Sequence, residues 1–256
     1  MKVLDIKNPF NAPVYHEETV SSTFDIARAL AGKNEPHGTV ITADFQSAGR
    51  GRQGRPWTTE RGKNLLFTIM LRYGGFPSIP QALSLKTGLA LSLAIEDLIS
   101  SLSVARDFAV TVKWPNDVMI ASRKAGGILT ETDGKNVFIG VGVNVGQEEF
   151  PEEYRSKAGS IIRFYPALAE DARFNLLEKI LSRLHREIEE REPWRERLTQ
   201  RLYKRGEIVS FVPGAADSNC LIEGILTGIG SDGELLIIPR GEEKERAFIT
   251  GELRVY

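Results

Sequence analysis

The chain has 256 residues, enough for one large domain and a second, small one. Its 33 lysines and arginines against 34 aspartates and glutamates leave a formal net charge of -1, which excludes a general electrostatic attraction to nucleic acids or anionic membranes. The single cysteine, Cys220, excludes an intramolecular disulfide framework, and the absence of a run of about 18 apolar residues leads us to expect a cytoplasmic protein.

The first two thirds of the chain predict a sheet covered by helices. Ser21-Ser22-Thr23 precedes a helical stretch at residues 24–31, and the apolar segment at residues 79–99 fits a buried helix better than a strand. Short β-branched or apolar runs predict strands at 39–45, 64–71, 110–114, 117–120, 127–131 and 137–145. The pattern predicts a mostly antiparallel or mixed sheet, and therefore an α+β fold.

The last third of the chain changes its pattern twice. Residues 168–191 carry apolar residues at helical spacing among charges, which predicts an amphipathic helix that Pro193 ends. Beyond it, the hairpin signal Ser231-Asp232-Gly233 lies among short runs typical of a small β-barrel, at 207–212, 221–229, 234–238 and 246–249. We therefore predict a large domain at residues 1–204 and a small C-terminal barrel at residues 205–256.

The stretch Gly49-Arg50-Gly51-Arg52-Gln53-Gly54-Arg55 has three arginines and three glycines within seven residues. Glycine lets the backbone turn and approach a ligand closely, and each guanidinium offers a rigid fork of donors to phosphate or carboxylate oxygens. The composition predicts a loop that is mobile until a polyanion orders it, and that then covers a binding site. A solvated connector or a nucleic-acid contact would have a similar composition.

Two further clusters indicate a site for an anion. In Lys113-Trp114-Pro115-Asn116-Asp117 the proline and asparagine force a turn, so that Lys113 and Asp117 project toward one pocket, although a plain ion pair on a surface turn fits as well. Lys124 precedes Gly126-Gly127, where a phosphate could approach the backbone or a β-bulge could leave the lysine in solvent.

Taken in chain order, these motifs resemble the biotin protein ligases. The resemblance runs from about residue 19 to the C-terminus and rests on Ser22-Thr23, Gln46, the arginine loop through Trp57, the Lys113 to Asp117 turn, Lys124 with Gly127-Ile128-Leu129, Gly140 to Asn144, and Gly251-Glu252-Leu253. It implies a class II synthetase-like catalytic domain of the biotin/lipoate ligase type, followed by an SH3-like barrel. It also implies a two-step reaction, in which biotin and ATP give biotinyl-5′-AMP and pyrophosphate, and a lysine of a biotin carboxyl carrier protein then attacks the adenylate.

The resemblance also implies roles for individual residues. Catalysis falls to Arg52, Lys113, Lys124 and Asp117. Biotin is held by Ser22, Thr23, Gln46, Arg50, Gly51, Arg52, Lys113, Gly127 and Leu129, with Trp114, Ile128 and Leu129 as candidates beside its valeryl chain. The nucleotide is held by Arg50, Arg52, Arg55, Trp57, Asn116, Lys124 and Asn144. Asp117 would support Mg²⁺ or orient a cation. From the residues alone, a helix N-cap is the favoured interpretation of Ser22, and a structural use the favoured interpretation of Asn144.

One position departs from the family pattern, because Phe24 follows Ser22-Thr23 where the family usually has asparagine. We expect a polar contact near biotin to be missing or replaced, with weaker binding or an altered choice of acid.

Some family members carry an N-terminal winged helix-turn-helix of roughly 60 residues. Only 20 residues precede Ser21, so we expect a form without that domain and no sequence-specific DNA binding.

Two other functions remain open from the sequence. A lipoate ligase or octanoyltransferase would share the architecture, although Cys220 lies far in sequence from the pocket motifs. A module that binds biotin without adenylating it is the third alternative. The sequence leaves open whether the chain is a monomer or a homodimer, and what the barrel contributes.

Overall fold

The computed structural model describes residues 1–100, 102, 108–169, 172–190, 193–214 and 220–254. Its larger sheet has eight strands in the order β1-β2-β3-β4-β8-β7-β6-β5. They are β1 (Lys2–Val3), β2 (Val14–Glu17), β3 (Thr39–Ala43), β4 (Leu65–Arg72), β5 (Val110–Lys113), β6 (Asp117–Ile120), β7 (Arg123–Thr132) and β8 (Asn136–Val143). Strands β2 and β3 are parallel and every other pair is antiparallel, which confirms the mixed sheet.

The helices cover both faces of this sheet, because successive residues of its strands point to opposite sides. Helix α1 (Thr23–Ala31) packs on one face against Ile41 and Met70. Helices α2 (Leu83–Ile99) and α4 (Ala172–Ile188) pack together on the other face, which carries Val40 and Ile69. The short helix α3 (Ile161–Phe164) lies between β8 and α4 in the chain.

The C-terminal strands form a separate antiparallel sheet of five strands, in the order β12-β11-β10-β9-β13. They are β9 (Ile208–Pro213), β10 (Ile222–Ile229), β11 (Leu235–Pro239), β12 (Arg246–Phe248) and β13 (Gly251–Arg254). A second core cluster joins this sheet to α2, to α5 (Trp194–Gln200) and to Trp114. The predicted α+β architecture is confirmed, and a domain boundary after residue 204 stays a prediction.

Several predicted boundaries were wrong. The helix expected at 79–99 begins at Leu83, and the one expected at 168–191 runs from Ala172 to Ile188, with residues 170, 171 and 191 outside the described residues. Pro193 is the N-cap of α5, a helix that was not predicted. The strands Lys2–Val3 and Val14–Glu17 were also missed. No helix in the described ranges combines the length and hydropathy that crossing a bilayer requires.

Candidate active site

The predicted site residues line one cavity of about 360 Å³, bounded by α1, the sheet, the arginine loop and β13. The fold brings together all of them, from distant parts of the chain: Ser22, Thr23, Gln46, Arg50, Gly51, Arg52, Arg55, Trp57, Lys113, Asn116, Asp117, Lys124, Gly127, Leu129 and Asn144. Their individual roles stay predictions. A concave cavity of this size, which apolar and charged side chains line together, suits a small molecule.

The floor of the cavity is a part of the sheet that lacks side chains. On β8, Gly140 and Gly142 share one face, and Gly142 pairs with Gly127 of β7. A Cβ atom on Gly142 would lie 2.5 Å from Cε2 of Trp57, so the indole ring rests directly on this glycine. The alternating small residues therefore admit a loop and a ligand close to the backbone.

One end of the cavity carries neutral polar groups. Ser22 is the N-cap of α1 and accepts a hydrogen bond from the backbone N–H of Phe24, as the capping alternative predicted. The Oε1 atom of Gln46 accepts from the backbone N–H of Thr23 at 2.8 Å and from its hydroxyl at 3.0 Å. This arrangement fixes the amide, so that its N–H₂ group remains a donor for a ligand.

Each arginine of the loop contacts a different element around the cavity. Arg50 pairs with Asp25 of α1 at 2.7 Å, and Nη1 of Arg52 donates to Oδ1 of Asn116 at 3.1 Å. Arg55 forms a two-pronged pair with Glu252 of β13, at 3.3 and 3.1 Å. The loop thus borders the cavity and connects the two sheets through side chains.

Glu252 and Arg55 are electrostatically coupled. Burial alone would raise the pKa of Glu252, but the hydrogen bonds and charge of Arg55 outweigh burial and hold that pKa below its usual range. The same hydrogen bonds raise the pKa of Arg55. Because both side chains are partly exposed, the pair positions the loop more than it stabilises the fold.

Lysines and a carboxylate meet where the loop approaches the sheet. Lys113 is only 8% exposed, and burial lowers its pKa below the usual lysine range although the Asp117 carboxylate opposes the shift. Nζ of Lys124 lies 2.7 Å from Oδ1 of Asp117. The predicted β-bulge exists between Val118 and Met119, yet Lys124 is ion-paired and does not simply point into solvent.

The described residues contain no cage of side chains that would hold a Mg²⁺ ion without a substrate. Asp117, the predicted ligand, is paired with Lys124, and the described chain has no group of three or more histidine, cysteine or acidic side chains placed to hold a metal. Mg²⁺ usually needs at least one free carboxylate in addition to substrate phosphates. Asp117 contacts the ammonium of Lys124, and whether it supports Mg²⁺ or orients a cation stays a prediction.

Some expected ligand contacts are structural in this fold. The indole N–H of Trp114 donates to the carbonyl of Gly233 at 2.9 Å, and Ile128 packs toward α2. Both residues also line the cavity, so their place beside a valeryl chain stays a prediction. Leu129, which pairs with Gly140, lies on the cavity side. The amide of Asn144 donates to backbone carbonyls, as the structural alternative predicted.

The sequence model of the "Biotin/lipoate A/B protein ligase family" matches residues 18–147, just over half of the chain. The chain belongs to this family. Among curated members, the matched segment is 37% identical over 155 residues to the bifunctional ligase/repressor BirA of Bacillus subtilis, covering 58% of this chain and 45% of that protein. It is 34% identical over 174 residues to the biotin--[acetyl-CoA-carboxylase] ligase of Mycobacterium tuberculosis, covering 68% and 61%. The chain thus spans about half the length of the first of these members and somewhat more of the second.

Solved structures of the family cover nearly the whole chain. The biotin protein ligase of Aquifex aeolicus in complex with biotin and ATP superposes with a TM-score of 0.76 at 27% identity, covering 94% of this chain and 97% of that one. The Leishmania major ligase in complex with biotin gives 0.64 at 26% identity, covering 95% and 100%. The family fold, with its C-terminal antiparallel sheet, is therefore confirmed.

Sequence reasoning missed cavity residues that no local motif marks. Glu252 was noted only as part of a closing strand, although its carboxylate holds Arg55. Tyr154 and Lys157 border the cavity from the segment after β8.

The predicted residue Trp57 carries an unpaired donor. Its Nε1 atom is buried and has no hydrogen-bond partner among the described residues, which marks a donor that a ligand can satisfy.

Proposed function

We propose that this chain is an ATP-dependent biotin ligase. It activates biotin as biotinyl-5′-AMP and transfers the biotinyl group to a lysine of a biotin carboxyl carrier protein. The observation that carries the proposal is the polarity of the cavity, which has hydroxyl and amide groups at one end and a cluster of lysine and arginine at the other. The names of the curated family members and the ligands of the Aquifex structure support it.

The neutral end suits the ureido ring of biotin. That ring offers N–H donors and a carbonyl acceptor without net charge, which hydroxyls and amides match better than ions do. Ser22, Thr23 and Gln46 present these groups at the N-terminus of α1. Leu129 and the two rings that rest on the glycine floor then border an apolar passage for the valeryl chain toward the cations.

The cationic end suits adenylation. A carboxylate oxygen of biotin attacks the α-phosphorus of ATP, and the bond to the pyrophosphate oxygen breaks, so that pyrophosphate leaves with the electron pair. Lys113, buried beside this path, stabilises the negative charge that builds on the phosphoryl oxygens. Arg52 and Lys124 stand at the same end of the cavity and can contact the phosphates. Any Mg²⁺ would arrive with the phosphates of ATP.

The second step needs no nucleophile from this chain. The uncharged ε-amine of the acceptor lysine attacks the carbonyl of the mixed anhydride, AMP leaves with the electron pair, and the amine loses one proton. Until then the adenylate must be kept from water, and the arginine loop, which borders the cavity, would do so by closing over the ligand. Trp57 offers its unpaired N–H to the nucleotide.

The test is biotin-dependent exchange of labelled pyrophosphate into ATP, followed by mass spectrometry of a carrier domain. We expect exchange with biotin, none without it, and the mass of one biotinyl group added to the carrier but not to its lysine-to-arginine variant. Exchange that depends on lipoate or octanoate would contradict the proposal in favour of a lipoate-type enzyme. Biotin binding without exchange would contradict it in favour of a binding module.

A further inference from the structure

The aromatic ring of Phe24 borders the neutral end of the cavity, and the proposed function gives it no part. Phe24 is the second residue of α1 and is 4% exposed. It follows Ser22 and Thr23 directly, so an apolar surface lies beside the polar groups. A ligand that binds there must therefore match a polar and an apolar surface at once.

The position of the ring depends on a missing side chain. A Cβ atom on Gly140 would lie 2.1 Å from Cε2 of Phe24 and 2.8 Å from its Cζ, so the ring occupies the place that a side chain of β8 would take. Gly140 pairs with Thr68 on one side and Leu129 on the other. The hydroxyl of Thr68 lies 2.8 Å from that of Thr23, which anchors the polar groups next to the ring.

The same face of β8 carries a second ring, two residues further on. Trp57 rests on Gly142 as Phe24 rests on Gly140, and the two glycines are about 7 Å apart along the strand. The ring of Phe24 comes from α1 and is fixed by packing, whereas Trp57 follows the arginine loop. The space beyond Phe24 is thus bounded by a fixed apolar wall at the neutral end.

We infer that Phe24 is a specificity-determining residue, whose ring packs against the sulfur-bearing ring of biotin. The inference rests on the proposed function, because it takes biotin as the acid. If the ureido ring binds Ser22, Thr23 and Gln46, the fused thioether ring lies at the neighbouring apolar wall. A thioether sulfur next to an aromatic ring is a favourable contact. A sulfone there would place two oxygens against an apolar ring without donors.

The test compares the dissociation constants of biotin and biotin sulfone, measured by titration calorimetry on the full chain without ATP. We expect the parent chain to bind biotin more tightly than the sulfone. Phe24→Leu should lower the ratio of the dissociation constant of the sulfone to that of biotin by about tenfold, which corresponds to about 1.4 kcal/mol. The reason is that the smaller side chain leaves room for water beside the sulfone oxygens. Thermal unfolding of each variant reports whether it folds.

Phe138→Leu is the matched control. Phe138 is on the same face of β8, is 1% exposed and belongs to the same core cluster as Phe24, but it does not border the cavity. The same substitution there should lower stability and leave the ratio of the two dissociation constants unchanged. A second arm uses Gly140→Ala, which should weaken biotin binding in the parent more than in the Phe24→Leu background, since its Cβ and the ring compete for one space.

The outcomes separate this inference from the proposed function. If Phe24→Leu weakens the binding of both acids alike, or if the parent binds both equally tightly, then Phe24 only packs in the core. The inference is then wrong, whatever the exchange assay gives. If the ratio narrows while the chain catalyses no exchange, the inference stands and the ligase function fails. A parent chain that binds neither acid contradicts both.

Discussion

Replacing Lys113 by methionine should slow adenylation by at least about 10²-fold. The side chain is 8% exposed, so its charge acts in surroundings poor in water, where the loss of one charge-stabilising contact costs about 10² to 10³ in rate, or about 2.7–4 kcal/mol. Lys124 cannot replace it, because its side chain is 33% exposed and its ammonium is already paired with Asp117 at 2.7 Å. We therefore expect Lys124→Met to cost less, about tenfold.

The assay is single-turnover formation of biotinyl-AMP at saturating biotin and ATP, followed by rapid quench. Lys33→Met, which removes an exposed lysine after α1, is the matched control and should react like the parent. Lys113→Arg should recover part of the rate and should keep it at high pH. In the parent, kcat/KM should fall at a lower pH than for an ordinary lysine, because burial lowers the pKa of Lys113. Normal single-turnover formation by Lys113→Met would refute the reasoning.

The same variant has a stability readout whose sign follows from burial. The pKa of Lys113 is lower in the folded chain than in the unfolded chain, so the unfolded chain binds more protons in the pH window between the two values. Stability of the parent therefore rises with pH across this window. Lys113→Met should be the more stable protein below the window, and this advantage should disappear above it. Thermal unfolding as a function of pH measures the difference.

The remaining predictions concern the loop. Arg52→Ala should keep the fold but form the adenylate poorly or release it, measured as biotinyl-AMP in an ultrafiltrate; retention as in the parent would contradict this. Gly142→Ala should displace Trp57, because the new Cβ would lie 2.5 Å from its ring. Acrylamide should then quench tryptophan fluorescence more strongly than in the parent, and unchanged quenching would contradict this contact. Glu252→Gln should shift the free energy of unfolding by no more than about 1 kcal/mol, yet speed tryptic cleavage of the loop after Arg52, and an unchanged cleavage rate would count against the loop contact.

The sequence predicted the elements whose patterns are long and regular. Strands β4 and β8 are continuous buried runs, and α4 has apolar residues at clear helical spacing. Strands Lys2–Val3 and Val14–Glu17 are too short for such a pattern and form by pairing at the sheet edge. Helix α5 was missed because Pro193 was taken as the end of a helix, whereas proline is also favoured at a helix start, where it loses no hydrogen bond.

For the site, residues within local motifs were predictable and contacts across the chain were not. The arginine loop and the Lys113 turn carry their chemistry within a few residues of one another. Glu252 is 197 positions away from Arg55, and only the docking of the C-terminal sheet brings the two together. The sequence also could not show which residue of β7 lies opposite Gly140, since the register of β7 against β8 decides that it is Leu129.

The central claim is that the arginine loop closes on an acyl adenylate whose acid lies along the glycine floor. A crystal structure with a non-hydrolysable sulfamoyl analogue of biotinyl-AMP tests it directly. We predict the bicyclic ring at Ser22, Thr23 and Gln46, the phosphate mimic within hydrogen-bonding distance of Lys113, and guanidinium groups of the loop in contact with the ligand. A loop that points away from the cavity and touches neither the acid nor the nucleotide would contradict the account.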